Sequence, residues 1–254
     1  MEKSIFNFKI QYKDGSMLDL ASKKLFVSSF HISSPTPEHR TDRLESQDGV
    51  IYFGSNIKER KLSAKIFVEA DNYLDFDLLR DEIFTIFNPL EPFYIIRDLQ
   101  PDKRMFVSVS SDFDVDYLDW DTGEFEIDFV MYSGYVESNE QKKVINQTNK
   151  FKITNDGHIP INPSNRALVI TYVGAGDNLT IMNKTTGEKF MLNGVLKTTD
   201  TVRIDGLSVK KNNLSVFRNT NKQFISLAKG ENDIEVVGAT GAYTVTFEYR
   251  SYYL

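Results

Sequence analysis

The densest run of side chains able to do chemistry is Asp112-x-Asp114-x-Asp116. Alternating carboxylates can ligate a hard cation such as calcium. An EF-hand loop opening at Asp112 would need glycine at its sixth place and glutamate at its twelfth. Those places hold Tyr117 and Gly123. The motif fails, and the run reads as the solvated acidic face of a strand, with a weak calcium or magnesium site as the alternative. The three histidines, His31, His39 and His158, are far apart. His31 sits in an apolar stretch and is expected to pack; His39 and His158 fall in loop segments. A zinc site needs about three or four ligands, and no close-spaced histidine pair exists. Cysteine is absent, which removes disulfides, thiolate nucleophiles and cysteine metal sites together. No G-x-S-x-G elbow anchors a catalytic serine. Gly174-Ala175-Gly176 lacks the third glycine and the following helix of a phosphate loop, and reads as a hairpin turn. Among the 36 acidic residues nothing singles out a glycosidase pair, one member of which would need an apolar pocket; the acids are expected to alternate outward from strands. The sequence therefore names no catalytic, cofactor-binding, metal or interaction residue, and no cofactor. Aromatic residues are plentiful, with 19 Phe, 12 Tyr and a single Trp. Stacking on sugars by Trp120 or by Tyr252-Tyr253 is one use; core packing and subunit interfaces are the more ordinary ones.

The elements around these residues are mainly β. IFNFKI, with Ile5, Phe6, Phe8 and Ile10, reads as a strand, followed by a turn at Lys13-Asp14-Gly15-Ser16. KKLFVSSFHI is a second strand. SSPTPEHRTDRLESQDG, with two prolines, reads as a long loop or arm. VIYF and LSAKIFV read as two strands joined by a charged connection. One helix is expected, over residues 73–87. Its apolar residues Phe76, Leu79, Ile83, Phe84, Ile86 and Phe87 fall near three-and-four spacing. Asp71 or Asn72 can cap it, and Asn88-Pro89 ends it. FYIIR follows as a strand. Residues 105–132 read as a hairpin. Phe113, Val115, Tyr117, Phe125, Ile127, Phe129 and Met131 make its apolar face, and the turn is expected at Asp121-Thr122-Gly123-Glu124.

Residues 138–150 have low hydrophobicity and no period, and a domain boundary is expected there. Charge changes at the same place. Residues 1–140 carry 15 Lys+Arg and 27 Asp+Glu, a net of −12, whereas the rest is net +6. Neither half has the clustered basic charge that nucleic-acid binding needs. Beyond residue 150, nine short β-rich runs are separated by turns such as Lys184-Thr185-Thr186-Gly187, the pattern of a sandwich or barrel. No run approaches the ~18 apolar residues of a membrane helix. The opening MEKSIFNFKIQYKDG carries charge where a signal peptide would be apolar, so a chain made and kept soluble in a cytoplasm is expected. Four Asn-x-Ser/Thr sequons, at Asn146, Asn178, Asn183 and Asn213, carry no meaning in that compartment.

The order of these pieces resembles the distal tail proteins of long, non-contractile-tailed (siphovirus-type) phages of Gram-positive bacteria. The likeness rests on QDGVIYFGSNIKERKLSAKIFVEA running into the helix YLDFDLLRDEIFTIFN, and on PLEPFYIIRDLQPDKRMFVSVSSDF. It continues through NDGHIPINPSNRALVITYVG, IMNKTTGEKFML, DTVRIDG and GENDIEVVGATGAYTVTFEYRSYYL. The resemblance implies a mainly β fold. Residues 1–140 would form a split-barrel-like ring-forming (belt) domain with one helix. Residues 145–254 would form a galectin-like β-sandwich on the outside of the ring. It also implies a homohexameric ring at the virion's tail tip, assembled in the bacterial host cytoplasm. That ring would join the tail tube and tape-measure protein above to the tail-associated hub protein below, with receptor-binding proteins as further partners, and DNA would pass through its lumen. The resemblance implies no catalysis, no sequence-specific nucleic-acid binding and no membrane insertion. Some members carry carbohydrate-binding modules inserted in loops, and 254 residues leave no room for one. The galectin-like fold does not by itself imply a sugar site. The runner-up is a carbohydrate-binding protein acting through the C-terminal sandwich; a glycosidase comes third.

Overall fold

The computed structural model describes residues 4–46 and 48–254. Met1, Glu2 and Lys3 of the segment read as non-secretory, and Gln47 of the presumed arm, lie outside the described residues. The chain divides into two compact units: Met1–Val136 together with Leu254, and Glu137–Tyr253.

In the first unit, alternation of apolar and polar residues puts one side of the main-sheet strands inward. The strands are β1 (Phe8–Gln11), β2 (Met17–Asp19), β3 (Leu25–Ile32), β4 (Pro37–Asp42), β5 (Ile51–Ile57) and β6 (Arg60–Glu69). After helix α1 (Phe76–Ile86) come β7 (Phe93–Arg97), β8 (Lys103–Val109), β9 (Asp116–Tyr117) and β10 (Thr122–Met131). Seven of them form an antiparallel sheet in the order β2-β1-β7-β8-β10-β6-β3. Its two ends are brought together by the buried Asn7. The Asn7 side chain donates to the Leu25 carbonyl at 3.2 Å and accepts from the Val27 amide at 2.7 Å. The sheet thus curls, and its interior fills with phenylalanine. Phe129 meets Phe8, Phe87 and Phe93 at centroid distances of 6.4, 6.1 and 6.1 Å. Phe87, just past the helix, carries α1 onto this cluster and also reaches Phe113 and Phe125.

The helix starts three residues later than its periodicity suggested. The Asn72 side chain accepts from the amides of Leu74 and Asp75, and holds residues 73–75 in a turn instead. The long hairpin expected over residues 105–132 is also shorter. Phe125, Ile127, Phe129 and Met131 are buried as expected, but β8 pairs only with the far end of β10, at residues 129–131. Of the aspartate run, only Asp116 and Tyr117 join a ladder, opposite Glu124 and Gly123. The turn falls at residues 118–121, so Thr122 and Gly123 already belong to β10. Gly123 is required there, because a Cβ would meet the Asp116 carbonyl and the Phe76 ring, both at 2.6 Å.

In the second unit the strands are β11 (Val136–Ser138), β12 (Gln141–Asn146), β13 (Lys150–Asn155), β14 (Leu168–Asn183) and β15 (Glu188–Leu196). They continue with β16 (Thr201–Asp205), β17 (Ser208–Lys211), β18 (Leu214–Ser215), β19 (Gly230–Tyr249) and β20 (Tyr252–Tyr253). Residues 141–146, read as unpatterned linker, form β12, an edge strand of mostly exposed residues on β19. The two longest strands each serve two layers. The first part of β14 pairs with β16 and with the later part of β19; from Gly176 it pairs with β15, and beyond Asn178 also with the early part of β19. The bend between them contains Gly174-Ala175-Gly176, which is therefore not a hairpin turn but a mid-strand irregularity. At Gly174 φ is +147°, and a Cβ would lie 2.6 Å from that of Tyr243. Across the resulting sandwich, Phe151 of β13 packs on Phe247 of β19 at 5.9 Å. The Tyr249 hydroxyl donates to the Thr154 carbonyl at 2.8 Å. FISL, read as a strand, makes only an isolated bridge between Leu227 and Ile161. Buried Asn232 donates to the Ala228 carbonyl and accepts from its amide, pinning that loop.

One carboxylate carries an expected pH dependence. Asp200 is 5% exposed. It pairs with Lys211 Nζ and accepts from the Lys197 amide and Asn212 Nδ2, each at 2.8 Å. These partners, Lys211 first, hold its carboxyl well below the usual carboxylate range. The folded unit resists protonation more than the unfolded chain does. Its contribution is therefore full above the unfolded value of about 3.9 and is lost as pH falls through the folded value. Asp200→Asn lowers the urea midpoint of this unit at pH 7, and the gap from the parent narrows as the pH is taken below about 4. Far-ultraviolet dichroism at a series of pH values measures it; an equal gap at every pH would contradict the linkage.

Candidate functional site

The side chains singled out for chemistry are not brought together. Asp112, Asp114 and Asp116 all point to solvent. Among the described residues no group of three or more His, Asp or Glu could hold a metal ion. His31 is exposed on β3 opposite Ser63, not packed, because the β-bulge between Val27 and Ser29 resets the strand's alternation. His39 lies in β4, not a loop, and its Nδ1 is 2.5 Å from Ser55 Oγ. His158 is in a loop, edge-on to Tyr253 at 5.4 Å. In the second unit several lysines lie beside acids, among them Lys152 with Glu231 at 2.7 Å and Lys184 with Glu235 at 2.8 Å. Among the described residues, no helix is long and apolar enough to cross a membrane.

What the first unit does offer is surface. The stretch read as a loop or arm contains β4, which pairs with β5 as a separate two-stranded ribbon. All six residues of β4 are exposed. On the opposite strand, Ile51, Tyr52 and Phe53 are exposed too. A register shift between Arg40 and Thr41 leaves Phe53 without a cross-strand partner. Tyr52 is held in place by its hydroxyl, 2.6 Å from Ser55 Oγ, and by His39, edge-on at 6.0 Å. Proline, threonine and charged residues hid β4, and with it the pairing to the strand that VIYF begins, from a sequence reading, since neither strand has a buried face to impose alternation.

A second surface lies where the β9–β10 turn meets the start of α1. Tyr117 stacks on buried Phe76 at 4.1 Å, and its hydroxyl donates to Asp77 at 3.0 Å. Partial desolvation, then the Asp77 carboxylate, pushes its phenol above the ordinary value. The amides of Leu118 and Asp119 both donate to the Thr122 carbonyl, closing a tight loop with Trp120 at its tip. Tyr73, Tyr117, Leu118, Asp119 and Trp120 line an open depression of about 410 Å³. Trp120 was visible in the sequence as a stacking candidate; Tyr73 was absorbed into the expected helix and missed. Tyr252 of the other pair is buried, with the Arg166 guanidinium 4.9 Å from its ring.

Comparison with known families matches residues 13–131 to the phage tail protein RIFT-related domain. Residues 156–253 match the C-terminal domain of the siphovirus-type tail component. A search of curated proteins finds no match. Among solved structures, the chain is similar to the Dit protein of phage SPP1, described as a paradigm of the hub adsorption apparatus in phages infecting Gram-positive bacteria. The TM-score is 0.72 at 13% identity, covering 96% of this chain and 98% of that one. At that identity the likeness is one of fold: mainly β, one helix, two β-sheet units. The baseplate of phage P2 in its activated conformation is also similar, with 9% identity, a TM-score of 0.49 and 96% and 97% coverage.

Proposed function

The chain belongs to the siphovirus-type distal tail proteins, structural components of the phage tail rather than enzymes, and from that premise we propose that six copies close into a ring at the tail tip. Residues 1–140 form the ring and residues 145–254 stand outside it. The ring joins the tail tube and tape-measure protein on one side to the tail-associated hub protein on the other, is assembled in the host cytoplasm, and passes DNA through its lumen.

The observation that carries this reading is the two matched units, in order, in one chain whose fold follows the SPP1 protein over 96% of its length. Two features of the first unit suit the role. Its β4–β5 ribbon presents apolar side chains that its own unit does not cover. A ring of heterologous contacts needs such a reaching element. The net charge of −12 over residues 1–140 suits a lumen along which DNA slides without sticking. The carbohydrate-binding alternative finds little in the second unit. Among its described residues Phe217 is the one exposed aromatic, and it stacks on Phe224 at 6.3 Å.

Light scattering behind a sizing column tests the ring. Six chains of 29.2 kDa give an expected mass of about 175 kDa for a closed cyclic assembly. A mass of one chain across the accessible concentration range would remove the self-closing ring. Electron microscopy of the larger species should then show a central hole.

A further inference from the structure

We propose that the depression between Trp120 and Tyr73 is a docking site for a basic protein segment, seating an arginine or lysine side chain on the indole. The proposal does not depend on the chain closing into a ring.

Three observations carry it. First, the apolar exposure is concentrated and unexplained by folding. Trp120 is 79% exposed, Tyr73 63% and Leu118 55%. The loop closes through backbone amides to Thr122, so nothing in its geometry requires an indole at the tip. Clustered exposed aromatics of this kind mark binding surfaces, and Trp and Tyr dominate the energetic centres of interfaces.

Second, the platform is already rigid. The Phe76–Tyr117 stack, the Tyr117–Asp77 hydrogen bond and the Asp119 carboxylate accepting from the Trp120 amide at 2.8 Å fix the loop. The Asn72 side chain fixes the backbone after Tyr73. A partner therefore meets a surface with little ordering left to be done.

Third, the charge around it selects the partner. Asp119 lines the depression, and Asp116 and Asp121 flank the loop. On the helix side, Arg80 is engaged by Asp77 at 2.8 Å and Asp81 at 3.6 Å, and Lys24 pairs with Asp71. The surface is thus an aromatic face inside an acidic rim. Guanidinium and ammonium groups satisfy both parts, the cation over the indole and the neighbouring donors on carboxylates. A neutral saccharide would use only the aromatic face, and an anionic polymer would be repelled.

The chain's single tryptophan makes the site its own reporter. The full chain is titrated, with tryptophan emission recorded, against an arginine-rich peptide, against the same peptide with glutamine for arginine, and against a neutral chito-oligosaccharide. Expected is a saturable emission change with the arginine peptide alone, weakened at high salt. Asp119→Asn with Asp121→Asn should weaken it about tenfold, and Tyr73→Ala, which leaves charge unchanged, several-fold. Each variant is first checked for parental dichroism. The proposal is overturned by no response to the arginine peptide, by an equal response to the glutamine peptide, or by loss on removing the acids with none on Tyr73→Ala, which would be charge attraction without a seat. A saturable response to the oligosaccharide alone overturns it in favour of sugar binding.

Discussion

Replacing both Tyr52 and Phe53 by aspartate is expected to leave the chain folded but monomeric, at 29.2 kDa in place of the ring mass. Among the described residues, the two rings sit on a ribbon whose strands pair only with each other. A lone two-stranded hairpin is marginal in water, and exposing adjacent aromatics on one adds an aggregation hazard. Both are relieved if the ribbon lies on a neighbouring copy. Covering two aromatic side chains removes about 300 Å² or more from water, worth roughly 7 kcal/mol per junction before the cost of association. Two buried carboxylates reverse the sign of that contribution. Because the ribbon lies outside the main sheet, dichroism and the urea midpoint should change by less than about 1 kcal/mol, as for surface substitutions. A variant that still sizes as a ring would show that the ribbon takes no part in closure.

Phe129→Ala is expected to be the most damaging single truncation in the first unit. Phe129 is fully buried and touches rings from β1, β7 and the end of α1. Its removal takes one wall from three neighbours anchored on different elements, which cannot all close the gap by moving together. A cost of about 3–5 kcal/mol is expected. Trp120 lies in the same unit, so its emission in urea follows this unit without interference from the other. A loss under about 1 kcal/mol would mean that the phenylalanine cluster relaxes as a fluid and not as a packed core.

Elements with one buried face were legible in the sequence. Phe125, Ile127, Phe129 and Met131 alternate because β10 has the core on one side, and α1 shows its three-and-four spacing because Phe76, Ile83 and Ile86 meet the sheet. Elements without such a face were legible only in part. β4, β5 and β12 are exposed along most of their length; composition alone made β4 loop and β12 linker, and of β5 only its opening, in VIYF, read as a strand. Long strands were broken in reading because their interruptions carry turn residues. Gly174 and Gly176 sit where β14 and β19 approach too closely for a side chain, and a close approach has no local signature distinct from a turn. Of the two surfaces, Trp120 could be singled out by type alone. Its partnership with Tyr73 could not, because the two are 47 positions apart and are brought together by tertiary contacts such as the Phe76–Tyr117 stack and the Tyr117–Asp77 hydrogen bond.

The two-layer run of β19 has a consequence for the order in which the protein matures. This strand lies between β12 and β14 and also carries β13, so it is the spine of its unit while being made after nearly all of it. Gln141 pairs with Tyr249, more than a hundred residues later. Contacts that distant cannot form until the ribosome has delivered them, at about 5–20 residues per second, and high contact order slows closure further. The seven-strand path β2-β1-β7-β8-β10-β6-β3 has all its strands once residue 131 has emerged. Nascent chains should thus carry that path formed beside an open, partnerless second unit. The second unit closes last, which makes it a checkpoint that only chains translated through β19 can pass.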